Sequence, residues 1–231
     1  MSSLTDESGW FTRKILHLLF ALVIIYYLLP STIFQVPTYI IVVVLFIILP
    51  FSIETYRLRR GIIFTGLHEH EKDHIASYAW FTLGATVLLL FFPQQIAAPC
   101  IVATALGDPV IGMTKRYRRR IMVSVTFLIC LMVFILFRYY IIVALFAAGV
   151  TIIAESFEFR IRIRLRPNLF WSRSRRELSN LKSFFDFIFR TDDDFMMQII
   201  PAVTLAILFF VFPDLMPERI LHPLVELLPF R

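Results

Sequence analysis

"IMVSVTFLICLMVFILFRYYIIVALFAAGVTIIA", residues 121–154, decides the fold, because it reads either as one apolar helix or as two. As one helix it would run about 50 Å at 1.5 Å per residue, against an apolar bilayer core of about 30 Å. One crossing would also carry the arginine-rich segment that follows, residues 155–194, away from most of the other cations. Arg138 is the sole charge in the stretch, and with Tyr139 and Tyr140 it has the amphipathic character of a membrane interface, although neither Gly nor Pro marks a turn there. A break at 138–140 is therefore expected, giving two antiparallel spans.

Outward from this pair, further apolar segments cover residues 15–34, 39–53, 75–92 and 96–106 before it and 195–212 after it, seven in all. Such runs, free of strand-like alternation, are expected to be helical, since a helix satisfies its own backbone in a bilayer. The 231 residues are 58% hydrophobic with a mean hydropathy of +0.77, more apolar than a soluble domain can cover with its polar residues. The expected class is all-α: one integral, multi-pass membrane domain of about seven helices spanning 1–231, with 155–194 as a cytosolic interfacial insertion. With a cytosolic N-terminus, 20 of the 23 Lys and Arg residues fall on the inner side, leaving Arg138, Arg219, Arg231 and the C-terminus opposite. The net charge of +6 then favours anionic headgroups or phosphates; nucleic acid is not an expected partner. Arg13 and Lys14 precede a long apolar run without a small-residue cleavage pattern, so the first span is expected to stay. Cys100 and Cys130 fall inside apolar segments and read as packing residues.

Acidic and basic residues accompany each other in every inner loop. Asp108, in "ATALGDPVIGMTKRYRRR" (103–120), is the sharpest candidate. The 11 residues before it make about 16 Å of helix, half the apolar thickness, so a turn at Gly107 would set Asp108 below the headgroups, where a carboxylate needs a partner or a metal. Pro109 would start a new helix whose amides favour phosphate, with Lys115 and Arg116 two turns on. Glu54 and Arg57 stand one helical turn apart at the end of the second span, a spacing that also suits a surface ion pair. "GLHEHEKDHIAS" (66–77) offers Glu71 and Lys72 beside His68, His70 and His74, without a zinc pattern. His17 lies one turn after Arg13 and Lys14. Glu155 ends the sixth span, and "TDDDF" puts Asp192, Asp193 and Asp194 at the start of the seventh, where capping accounts for one and a metal would relieve the repulsion among three. In 157–166, "FEFRIRIRLR" alternates as a strand does, and 178–190 repeats apolar residues at helical spacing.

Taken in order, "RKILHLL", "ETYRLRRG" with "HEHEKDHIASYAWFTLGA", "ALGDPVIGMTKRY", "AESFEF" and "TDDDFMMQIIPA" resemble the motifs of the polytopic lipid-alcohol kinases. That family includes dolichol kinase, phytol kinase and the CTP-dependent diacylglycerol kinase, and is related to CDP-diglyceride synthases. The chain departs from it at "RRRIMVSVTF", where members commonly carry a Lys-(Ser/Thr)-x-Glu-Gly-(Ser/Thr) element, and in having Asp194 where members have Asn. The resemblance implies phosphoryl transfer from CTP to an isoprenoid or glycerolipid alcohol at the cytosolic face. It implies a Mg²⁺ held by Asp108 with Asp193 or Asp194 and supported by Glu155. Arg13, Lys14, Lys72, Lys115 and Arg116 would meet the phosphates, Glu54 and Arg57 would line the substrate site, and His17 or Glu71 would orient or deprotonate the lipid hydroxyl. Alternatives are a CDP-lipid-forming cytidylyltransferase and a non-catalytic membrane protein or transporter on the same scaffold.

Overall fold

The computed structural model describes residues 15, 18, 19, 21–62, 75–114, 119–156 and 193–220, without the side chains of 112–114, 119, 155, 156 and 193. These residues form an all-α structure with one small hairpin. A 3₁₀ helix, Ala21–Leu28, leads to β1 (Thr32–Ile33) and β2 (Val36–Pro37), paired antiparallel with Thr32 opposite Pro37. The helices are α1 (Thr38–Arg60), α2 (Ser77–Phe91), α3 (Gln94–Thr114), α4 (Arg119–Leu136), α5 (Ile141–Ser156) and α6 (Asp193–Val211). A 3₁₀ turn, Pro213–Leu215, follows α6. By length and composition α1 and Asp194–Val211 of α6 are long and apolar enough to cross a membrane.

The first apolar segment was expected to be a span through residue 34. Helical conformation instead ends at Leu28, because Pro30 disfavours helix in the residue before it. Phe34 and Gln35 then take positive φ (50° and 65°), the pair of values a two-residue hairpin turn requires. Thr38 donates its hydroxyl to the Pro30 carbonyl, fastening hairpin to α1. In α1 a single π turn at Val44–Ile48 comes just before Pro50, loosening the ladder where proline has no N–H to give. The helix continues past the expected end at residue 53 and stops at Gly61, whose φ of 63° allows the Ile62 N–H to reach back to the Arg57 carbonyl at 3.1 Å.

The expected turn at Gly107 does not exist. Helix α3 runs unbroken through Gly107, Asp108 and Pro109, so the half-length span and the new helix beginning at Pro109 are both corrected. Small residues explain how two prolines are tolerated. Ala97, Ala103 and Ala105 are buried in the core, and Gly107 comes close to Met197 of α6 and Thr126 of α4, so packing against those two helices holds α3 together. Pro99 deprives the Gln95 carbonyl of its usual donor, and the Tyr139 hydroxyl supplies one at 2.6 Å. Burial raises the pKa of that hydroxyl well above the ordinary tyrosine range, which keeps it a donor.

The break between α4 and α5 falls where the sequence placed it. Arg138 adopts φ 59°, its N–H bonds to the Ile135 carbonyl (2.9 Å), and the Tyr139 N–H bonds to the Phe134 carbonyl (3.1 Å). The rings of Phe134 and Tyr139 meet at 5.3 Å, completing a Schellman stop with arginine in the position glycine usually takes. Helices α2 and α3 are joined by just Phe92 and Pro93. Short turns make neighbours antiparallel, and α6 packs against α2, α3 and α5 in the middle of the bundle.

Polarity is distributed inside out. Phe91, Leu136, Ile142, Ile207 and Phe210 stand exposed, Phe210 by 87%, while Thr86, Thr104, Thr151 and Gln198 are fully buried. Thr86, Thr104 and Thr151 return their hydroxyls to the carbonyl four residues earlier, at 2.8–3.0 Å, a way of satisfying a polar group where no water reaches. Cys100 and Cys130 are buried free thiols in the core. The segments 157–166 and 178–190 lie outside the described residues.

Candidate functional site

One end of the bundle collects the polar chemistry. Glu54 and Arg57 sit on the last turns of α1, on the face that also buries Pro50, and are 1% and 0% exposed. They do not form a surface pair: Arg57 donates to the Glu54 carboxylate from Nε (3.0 and 3.1 Å) and from Nη2 (2.7 Å). Glu54 also accepts from the Ala76 backbone N–H at 3.2 Å and the Tyr78 hydroxyl at 2.6 Å. Both carboxylate oxygens thus have donors inside the protein, as a buried acidic group requires. It ties the end of α1 to the start of α2.

Between those two residues, Ser77 points the other way and donates its hydroxyl to Asp194 Oδ2 at 2.9 Å. Asp194 is 1% exposed in the first turn of α6, where a carboxylate favours the helix N-terminus. One turn on, Gln198 donates from Nε2 to the Phe81 carbonyl of α2 at 3.2 Å. Gly84 makes this approach possible, because a Cβ there would stand 2.9 Å from Gln198 Oε1 and 3.2 Å from the Phe195 ring. Trp80 lies edge-on to Phe195 (6.0 Å) and to Phe51 (6.4 Å), an aromatic bridge from α1 through α2 to α6.

Asp108 is half-buried in α3. Its neighbour Gly107 faces Met197 of α6, whose Cε would lie 3.3 Å from an added Cβ, and Thr126 of α4, whose Cγ2 would lie 3.6 Å away. One turn further, Ile111 packs with Met197 and Met122. Asp108 therefore belongs to the same end of the bundle as Asp194, three residues before Met197. Two buried acceptors here, Gln198 Oε1 and Thr126 Oγ1, have no hydrogen-bond partner among the described residues.

No known family model matches the chain, and neither a curated protein nor a solved structure does.

Of the residues singled out in the sequence, Glu54, Arg57, Asp108 and Asp194 are thus located. Glu155 and Asp193 lie in the last turn of α5 and at the start of α6, and their side chains are outside the described residues, as are Arg13, Lys14, His17, Glu71, Lys72, Lys115 and Arg116 altogether. Among the described residues no three His, Cys, Asp or Glu side chains are grouped to hold a metal ion. Sequence reasoning did not single out Ser77, Tyr78, Gly84 or Gln198. The one signal for the first two was position, since a hydroxyl pair opening an apolar span needs partners from another element.

Proposed function

We propose that the chain is a multi-pass membrane enzyme of the lipid-alcohol kinase type. The terminal phosphoryl group of CTP passes to the hydroxyl of an isoprenoid alcohol (dolichol, polyprenol or phytol type) or of a diacylglycerol-type lipid. The N-terminus is cytosolic and the C-terminus lies on the opposite side. One observation carries the reading: carboxylates 140 residues apart, Glu54 and Asp194, meet the consecutive residues 76–78 at one bundle end. Exposed apolar side chains around buried threonines support the membrane setting, since the outer surface is what lipid would solvate.

The donor set suits Mg²⁺, which takes one or two carboxylates and leaves its other positions to water and phosphate. Asp108 and Asp194 would hold it with Asp193 and Glu155, and the orphaned oxygens of Gln198 and Thr126 suit a polar occupant nearby. When bound, the ion would neutralise charge on the triphosphate. Lys115, Arg116, Arg13, Lys14 and Lys72 would offset the remainder. The lipid oxygen attacks the terminal phosphorus as its proton passes to His17 or Glu71; the bond to the bridging oxygen breaks and CDP leaves with the electron pair. Glu54 and Arg57, sealed in the interior, would act by holding α1 against α2 and not by touching phosphate.

The test is incubation of purified protein with Mg²⁺, a panel of lipid alcohols and CTP labelled on either the terminal or the innermost phosphate. Terminal label in the lipid is expected. Innermost label would make the chain a cytidylyltransferase. Absence of both would favour the non-catalytic alternative, with which the enclosed Glu54–Arg57 pair is also compatible.

A further inference from the structure

Helix α1 has two faces of different use. Pro50, Glu54 and Arg57 point inward, while Ile48, Ser52, Thr55 and Arg59, spaced by the same three- and four-residue steps, point out. Along this outer face runs an open groove of about 470 Å³ lined by Ile47, Ile48, Phe51, Ser52, Thr55, Tyr56 and Arg59. Its lining changes in one direction. Isoleucines and a phenylalanine come first, then three hydroxyls, then a guanidinium, over about 18 Å of helix.

Such an order matches a lipid lying along the helix with its headgroup at the interface. The charged end is available: Arg59 is exposed and forms no ion pair among the described residues, whereas Arg57 is taken by Glu54 and Arg60 lies over the Tyr56 ring at 5.8 Å. The Thr55 hydroxyl is already given to the Phe51 carbonyl (2.7 Å), leaving Ser52 and Tyr56 as the neutral polar groups at that level. We infer that this groove is a binding site for an anionic membrane phospholipid, its acyl chain against Ile47, Ile48 and Phe51 and its phosphate at Arg59. A zwitterionic lipid also carries a phosphate, but its headgroup cation cancels the net charge, so it complements Arg59 less and occupies the groove less. The site does not depend on catalysis, so it stands or falls separately from the kinase reading.

Trp80 provides a native reporter, because it meets the groove residue Phe51 edge-on. With Trp10→Phe and Trp171→Phe, the full chain is placed in phosphatidylcholine vesicles containing a minority of lipid brominated on its acyl chain. Brominated phosphatidylglycerol should quench Trp80 at lower mole fraction than brominated phosphatidylcholine. Arg59→Gln should reduce that preference about fivefold, the effect of one cation at an anionic surface. Ile48→Phe, a change at an exposed position, should weaken quenching by both lipids. Equal quenching by the two lipids, a preference untouched by Arg59→Gln, or quenching untouched by Ile48→Phe would overturn the assignment. So would quenching by neither lipid together with a dimer that Ile48→Phe dissociates, which would seat a second copy of the chain in the groove.

Discussion

Removing the Glu54 carboxylate would leave Arg57 charged inside the bundle with its partner gone. Glu54→Gln should therefore cost about 3–5 kcal/mol in chemical unfolding from mixed micelles. Adding Arg57→Leu should recover part of that loss, since the stranded charge goes too. Tyr139 gives a second test at this scale. Tyr139→Phe leaves the Gln95 carbonyl without a donor, at a cost of about 1–3 kcal/mol. In a Pro99→Ala background the restored N–H can serve that carbonyl, so the same substitution should cost measurably less. The one-turn spacing of Glu54 and Arg57 was legible in the sequence. Their burial was not, because their neighbours Ala76 and Tyr78 come from another helix. The Ser77–Asp194 bond, 117 residues apart, left no local trace at all.

Helix boundaries show where local sequence succeeds and where packing overrules it. The stop at Arg138 was legible because length and charge demanded it, even without glycine. The unbroken α3 was not, since Gly-Asp-Pro is a turn signal in isolation and a helix when its glycine packs against Met197 of α6 and Thr126 of α4. The hairpin after Leu28 was hidden because Phe34 and Gln35 are unusual residues for positive φ. Arg138 carries the corresponding cost. A left-handed conformation penalises a non-glycine residue by about 1–2 kcal/mol, so Arg138→Gly should raise stability by about 1 kcal/mol in thermal melts, and Arg138→Val should lower it.

Across the whole molecule, the antiparallel order puts the end of α1 and the starts of α2 and α6 together, with the α2–α3 and α4–α5 turns at the far end. In a chain freed of Cys100 and Cys130, Arg60→Cys should react with an impermeant thiol reagent from the cytosolic side and Phe91→Cys from the opposite side. The reverse pattern, or both from one side, would refute the proposed orientation. The most direct measurement of the central claim, that distant acids converge to serve phosphoryl transfer, compares lipid labelling from terminally labelled CTP by the wild-type chain and by Asp108→Asn and Asp194→Asn. Mg²⁺-dependent label is expected in wild type and at most a trace in either variant, with each variant still folded and monodisperse in detergent. Full labelling by a folded Asp108→Asn protein, or none by wild type with any lipid alcohol, would contradict it.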